Sequence, residues 1–250
     1  MFIYIFFRIA AFFVVVNVIF PNGTPQIFKI SFSIFLSIII GMNIDSSISV
    51  ENLFQLIRIG LLETINGLVL GYIVNICFYS IRLAGKLIDN QLGLSMASIY
   101  DPNVHSQSTI MENLMYFLGI VVFFGLNIHY ILISSIEKSF KIIPVGQFIL
   151  KNNLGYILKV FLSYFILGIK MAIPIIIVLI ITDLITGIIS RSISGLNVMI
   201  IGMPLKMLVG LVFFLSMLPF IINGMNEMFK GLMDVLDGTF IFNITSINLF

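Results

Sequence analysis

The chain has 250 residues, 60% of them hydrophobic and 10% charged, and its mean hydropathy is +1.16. A soluble domain carries about 25% charged residues, so this chain cannot cover itself with polar surface and reads as an all-α integral membrane protein. Its net charge of +2 argues for no nucleic acid; Cys77 is the sole cysteine and His105 and His129 the two histidines, so neither a disulfide nor a cysteine-based zinc site is expected.

Phe2–Phe20 is an apolar run broken by Arg8 and Asn17. No cationic residue precedes its core and no small-residue cleavage site follows, so it reads as a retained helix rather than a signal peptide. Pro21-Asn22-Gly23-Thr24-Pro25 marks a turn. Ile27–Met42 is a second run, with Lys29 near its start, and Asn43–Asn52 a polar loop. Leu53–Leu83 is long enough for an approach segment followed by a span. A polar insert occupies Ala84–Thr109. Met115–Ile136 is the fourth run, and Glu137–Asn153 a loop containing Pro144-Val145-Gly146. Leu154–Ile181 and Met199–Ile222 follow, before a mixed tail from Gly224 to Phe250. The reading is of about six long apolar helices, against the roughly 20 residues that a bilayer requires. Lys138, Lys141, Lys151 and Lys159 surround the loop after the fourth run, opposed by Glu137 alone. The positive-inside rule places that loop and both termini in the cytoplasm, with the polar insert on the outer side.

The insert is the most informative stretch. It runs Ala84-Gly85-Lys86-Leu87-Ile88-Asp89-Asn90-Gln91-Leu92-Gly93 and closes at Asp101-Pro102. Polar backbone in hydrocarbon is kept where protein or a water-filled path satisfies it. A polar segment between two apolar runs therefore points to a pathway, a gate or a packed partner contact.

Small and polar residues also form stripes at helical spacing. Glu63, Gly67, Gly71 and Asn75 recur every four residues, and Gly67…Gly71 is a GxxxG pair that lets two backbones approach closely. The stripe serves either packing within the chain or contact with another subunit. Glu63 sits in an apolar run and needs a partner, a proton or water. Asp183, Gly187 and Arg191 form a second stripe, and Gly202, Lys206 and Gly210, with Pro204 beside them, a third. Asp183 pairs with Arg191 or Lys206, or the Asp183–Arg191 segment is a solvated loop. No GxSxG, HExxH or P-loop motif occurs, so no enzyme and no cofactor are expected.

These residues, taken in order, resemble the FliR family of flagellar biosynthesis proteins and its type III secretion export-gate counterparts. The resemblance covers Arg8, Pro21 and Pro25, Glu63…Gly67…Gly71, Ala84-Gly85…Ile88-Asp89…Gln91…Gly93 and Asp101-Pro102. It continues through Asn127-Ile128-His129, Ser139-Phe140, Pro144-Val145-Gly146, Ala172…Pro174…Asp183…Gly187…Arg191 and Asn197…Gly202-Met203-Pro204-Leu205-Lys206…Gly210. Ile128 and Asn103 stand where the family often has glycine.

The resemblance implies a non-enzymatic subunit of the flagellar export gate in the bacterial inner (cytoplasmic) membrane, within the flagellar basal body. Its implied partners are FliP, FliQ, FlhB and unfolded exported proteins. It implies helical hairpins, with a FliP-like part over residues 1–152 and a FliQ-like part over 153–250. It also implies that the loop 84–109 is a plug closing the channel. A plug needs a flexible backbone, which Gly93 supplies, and deformable apolar packing, which Leu94 and Met96 supply. Ser95 is among the residues that hydrogen-bond exposed backbone or water; Asp89 and Gln91 anchor the base, and Asp101-Pro102 closes the segment. The alternatives are the equivalent subunit of a virulence secretion system and a small-molecule secondary transporter. The latter predicts inverted repeats with paired broken helices, and the two halves show no clear repeat.

Overall fold

Runs rich in Ile, Leu and Phe with few breakers close into helices, whose backbone bonds are satisfied internally, as lipid demands. The computed structural model describes residues 1–20, 23–44, 52–94, 109–149, 154–192 and 198–236. Among these, every regular element is helical: α1 Phe2–Val15, α2 Gln26–Met42, α3 Leu53–Leu92, α4 Ile110–Gly125, α5 Ile128–Ile142, α6 Leu154–Ser192, α7 Val198–Ser216 and α8 Leu218–Asp234.

The helix ends differ from the apolar runs in instructive ways. α1 stops at Val15, where Val16 takes an extended backbone. α3 is one helix of 40 residues that absorbs the expected approach segment, the span and the insert's first residues, Ala84–Leu92. Gly93 then takes φ +79, the left-handed turn with which helices commonly end. The fourth run is broken at Asn127, whose φ is 56. α6 runs 39 residues and passes through Asp183 and Arg191, so that stretch is helix and not loop.

By length and composition α3 and α6 are each able to cross a membrane, and the bent pairs α4/α5 and α7/α8 raise the number to as many as four. The α7/α8 bend is 58°. α1 and α2 are shorter apolar helices. A 40-residue helix is about 60 Å long, twice the hydrocarbon thickness of about 30 Å.

The chain divides into two units. One comprises Met1–Cys77, Phe123–Ser163 and Phe229–Phe250; the other comprises Phe78–Val122 and Tyr164–Met228. In the first, α1 packs on α2, and the Phe13, Phe20 and Phe32 rings meet edge to face at centroid distances of 5.2–5.6 Å, a favoured aromatic geometry. Ile5, Ile9, Phe12, Ile73 and Leu132 are buried there. In the second, Ile81, Ile88, Met115, Ile175, Leu179 and Met225 form the core. Large apolar side chains such as Phe35, Leu184, Ile188, Leu208 and Leu215 stay exposed, a surface suited to lipid or to other proteins rather than to water.

Candidate functional site

The stripe Glu63, Gly67, Gly71 and Asn75 lies against α1. A Cβ at Gly67 would run into the carbonyl oxygen of Arg8, and one at Gly71 would stand 2.9 Å from that of Phe12. Missing side chains thus let the backbones of α1 and α3 come together. At the two ends polar groups take over. Asn75 Nδ2 donates to the Val15 carbonyl at 2.6 Å, satisfying an orphan acceptor at the end of α1. Glu63 Oε2 accepts from Arg8 Nε at 2.5 Å, with the two side chains 0% and 1% exposed.

That ion pair is the centre of a larger buried network. Arg8 Nη1 donates to the Ser139 carbonyl and hydroxyl, and Nη2 to the Ile143 carbonyl at 3.0 Å. The guanidinium also lies over the Phe140 ring, 4.1 Å from its centroid. Glu63 Oε1 accepts the Gly146 N–H at 2.9 Å. One turn on, Asn66 Nδ2 donates to the Gln147 carbonyl at 2.8 Å and its Oδ1 accepts the Ile149 N–H at 3.0 Å. Three buried side chains therefore hold the segment Ser139–Ile149. A charge pair taken out of water is kept when its remaining hydrogen-bonding groups are satisfied, and here both carboxylate oxygens and all three guanidinium nitrogens have partners.

In the second unit Asp89 makes a clasp. Its Oδ2 accepts the N–H groups of Met111 and Glu112 at 2.8 and 3.1 Å. These are unsatisfied donors of the first turn of α4, and an anion is favoured there by the helix dipole. Gly85, one turn before Asp89, makes the approach possible: a Cβ there would stand 2.6 Å from the Met111 carbonyl oxygen. Asp89 is fully buried, and its Oδ1 is left without a partner among the described residues, as is the buried Thr109 hydroxyl.

A further polar cluster joins three helices of the same unit. Lys206 Nζ donates to Asp183 Oδ2 at 2.6 Å, and Gln91 Nε2 to the same oxygen at 3.2 Å. Of the two partners open to Asp183, the structure takes Lys206; Arg191 is exposed farther along α6. The pair is half-exposed, Asp183 at 48% and Lys206 at 16%. Gly210 packs against Leu92 and Leu179, whereas Gly187 faces open space. Pro204 is exposed and Gly202 partly so.

Of the expected plug residues, Asp89, Gln91, Gly93 and Leu94 are described, while Ser95, Met96, Asp101 and Pro102 lie outside the described residues. Asn66, Ser139 and Gly85 were not singled out as site residues from the sequence. Asn66 lies one turn from Glu63 on α3, which is the signal that points to it. Gly168 is another, its α-carbon side facing the Ser80 carbonyl so that a Cβ would stand at 2.5 Å. Among the described residues no group of three or more His, Cys, Asp or Glu is placed to hold a metal.

Comparison with known proteins places this geometry in context. The family described as bacterial export proteins, family 1, matches residues 1–232. The flagellar biosynthetic protein FliR of Bacillus subtilis is 30% identical over 217 residues, 84% of this chain and 83% of the relative. FliR of Aquifex aeolicus is 27% identical over 209 residues, 83% of this chain and 80% of the relative. The Yop proteins translocation protein T of Yersinia pestis is 28% identical over 147 residues, 58% of this chain and 56% of the relative.

Proposed function

The chain belongs to the bacterial export proteins, family 1, the FliR family, and from that premise we propose that it is a non-enzymatic channel subunit of the flagellar export gate, assembled with FliP and FliQ. At the coarser level it is a membrane-embedded subunit of the flagellar or type III export apparatus. FlhB is its further partner and unfolded exported proteins its cargo, in the inner membrane at the flagellar basal body. Residues 1–152 act as the FliP-like part and 153–250 as the FliQ-like part.

The match over residues 1–232 carries this reading. The Asp89 clasp supports the plug within it. Asp89 on α3 binds the first turn of α4, so the two helix ends that flank residues 95–108 are held together. A segment between such ends suits a seal over a narrow path, where apolar side chains exclude water and ions.

The test is a deletion of Ser95–Tyr100 in the full chain. The gate complex should assemble with FliP and FliQ and conduct ions or small solutes above the wild-type level. A complex that assembles, exports normally and leaks no more than wild type would overturn the plug. A full chain that purifies without either partner from cells expressing all three would overturn the gate assignment.

A further inference from the structure

We infer that one face of α6 packs against a helix of another subunit that carries an aspartate or glutamate opposite Lys170. This contact rests on the reading of the chain as an export-gate subunit and lies within that assembly. Ile166, Lys170, Ile173, Ile177, Ile180 and Leu184 recur at alternating steps of four and three residues. That is the spacing by which two helices interlock along a shared seam, and it sets all six on one face of α6. Lys170 is exposed, and the five apolar residues are exposed by 41–63%. Four of those five are isoleucine, whose branched side chain keeps essentially one rotamer in a helix and so has little freedom to lose on packing.

Lys170 decides what can cover this face. It is the sole charged residue between Lys159 and Asp183, about 16 Å along the helix from the first and about 20 Å from the second. In a helix able to cross a membrane, that puts it inside a hydrocarbon layer of about 30 Å, where an ammonium needs a partner or water. Among the described residues its side chain has no ion pair. Of the acidic residues described in the same unit, Asp89 holds the first turn of α4 and Asp183 binds Lys206. Glu112 on α4 and Glu227 on α8 make no ion pair with Lys170. Pro174, one turn on, has no N–H for the Lys170 carbonyl, so an acceptor is freed beside the ammonium.

A lipid tail would cover the isoleucines and leave both polar groups unmet. A second copy in the same register would set Lys170 against Lys170. A helix with its own apolar stripe and one carboxylate meets the whole face. A single polar residue at a seam position fixes register and partner at a cost in stability, and Lys170 has that place here.

The experiment uses the full chain in its purified gate complex. The photoreactive residue p-benzoylphenylalanine is placed at position 173 or 177, and the linked peptide is identified by mass spectrometry. It should come from another subunit, from an apolar helix with an aspartate or glutamate within about one turn of the attachment point. Separately, Lys170→Glu should lower the yield of assembled complex at least about tenfold, because like charges set together at an interface are strongly disfavoured. Lys170→Arg should keep the yield. Changing the identified acid to lysine should restore assembly of Lys170→Glu, which a merely misfolded variant would not do. A wild-type chain that purifies with no other gate subunit would overturn the gate assignment itself. With the wild-type complex assembled, the contact alone is overturned if the links reach only phospholipid or a second copy of this chain. It is equally overturned if the linked helix has no acid, if Lys170→Glu assembles as well as wild type, or if the charge exchange restores nothing.

Discussion

Arg8 and Glu63, one on α1 and one on α3, meet through Nε and Oε2 at 2.5 Å with both side chains closed to solvent. Each is an ionisable group within an apolar run, and neither has a local partner. Together they neutralise each other and hold a third segment.

Breaking this pair from one side should be costly. Arg8→Ala leaves a buried carboxylate and Glu63→Ala a buried guanidinium, each at about 3–5 kcal/mol. Arg8→Met combined with Glu63→Leu removes both charges, and it should lose less than either single change. Thermal unfolding of the purified complex measures all three. Single variants within about 0.5 kcal/mol of wild type would show the pair to be dispensable.

Asn66→Leu should free the loop without unfolding the helices. The Gln147 carbonyl and Ile149 N–H would lose their partner, at about 1–3 kcal/mol for buried groups. Faster amide exchange at Ile149, with α3 still protected, is the expected readout. Unchanged exchange there would mean that other contacts hold the segment.

Gly67 and Gly187 should respond oppositely to alanine. Alanine normally stabilises an exposed helical site by about 1 kcal/mol over glycine. Gly187 faces open space, so Gly187→Ala should be neutral or stabilising. At Gly67 a Cβ meets backbone, and overpacking of about 1–3 kcal/mol outweighs that gain. Equal melting temperatures for the two variants would contradict the tight α1–α3 seam.

Asp89→Ala should weaken the start of α4 by about 0.5–2 kcal/mol, the usual worth of an N-terminal cap. Asp89→Asn keeps one acceptor oxygen and should fall between the alanine variant and wild type. Protection of the Met111 and Glu112 amides in hydrogen exchange gives the order. If Asn and Ala variants behave alike, the charge rather than the hydrogen bond is what holds α4.

The Asp183–Lys206 pair should show coupling and the Asp183–Arg191 combination none. Because Asp183 is half-exposed, the coupling should be about 0.2–1 kcal/mol, well below that of a sealed pair. Double-mutant cycles on melting temperature separate the two. Coupling to Arg191 instead of Lys206 would reassign the partner.

Much of this molecule is legible in one dimension. Composition demands a membrane protein, and unbroken apolar runs long enough to span as helices make it all-helical, since helices satisfy their backbone internally. The spacing of Glu63, Gly67, Gly71 and Asn75 marks one face of a helix, since that is a local property of helical geometry. What that face touches is not local. Its partner α1 lies some 55 positions away, and no periodicity names it. The same holds for Asp183, where Arg191 and Lys206 are equally plausible by spacing and Lys206 takes the bond because α7 brings it within 2.6 Å. Asn66 and Gly85 carry no sign in the sequence of what they touch. They matter because a loop and a helix end arrive beside them, and an amide or a missing side chain acquires its role from whatever tertiary packing sets against it.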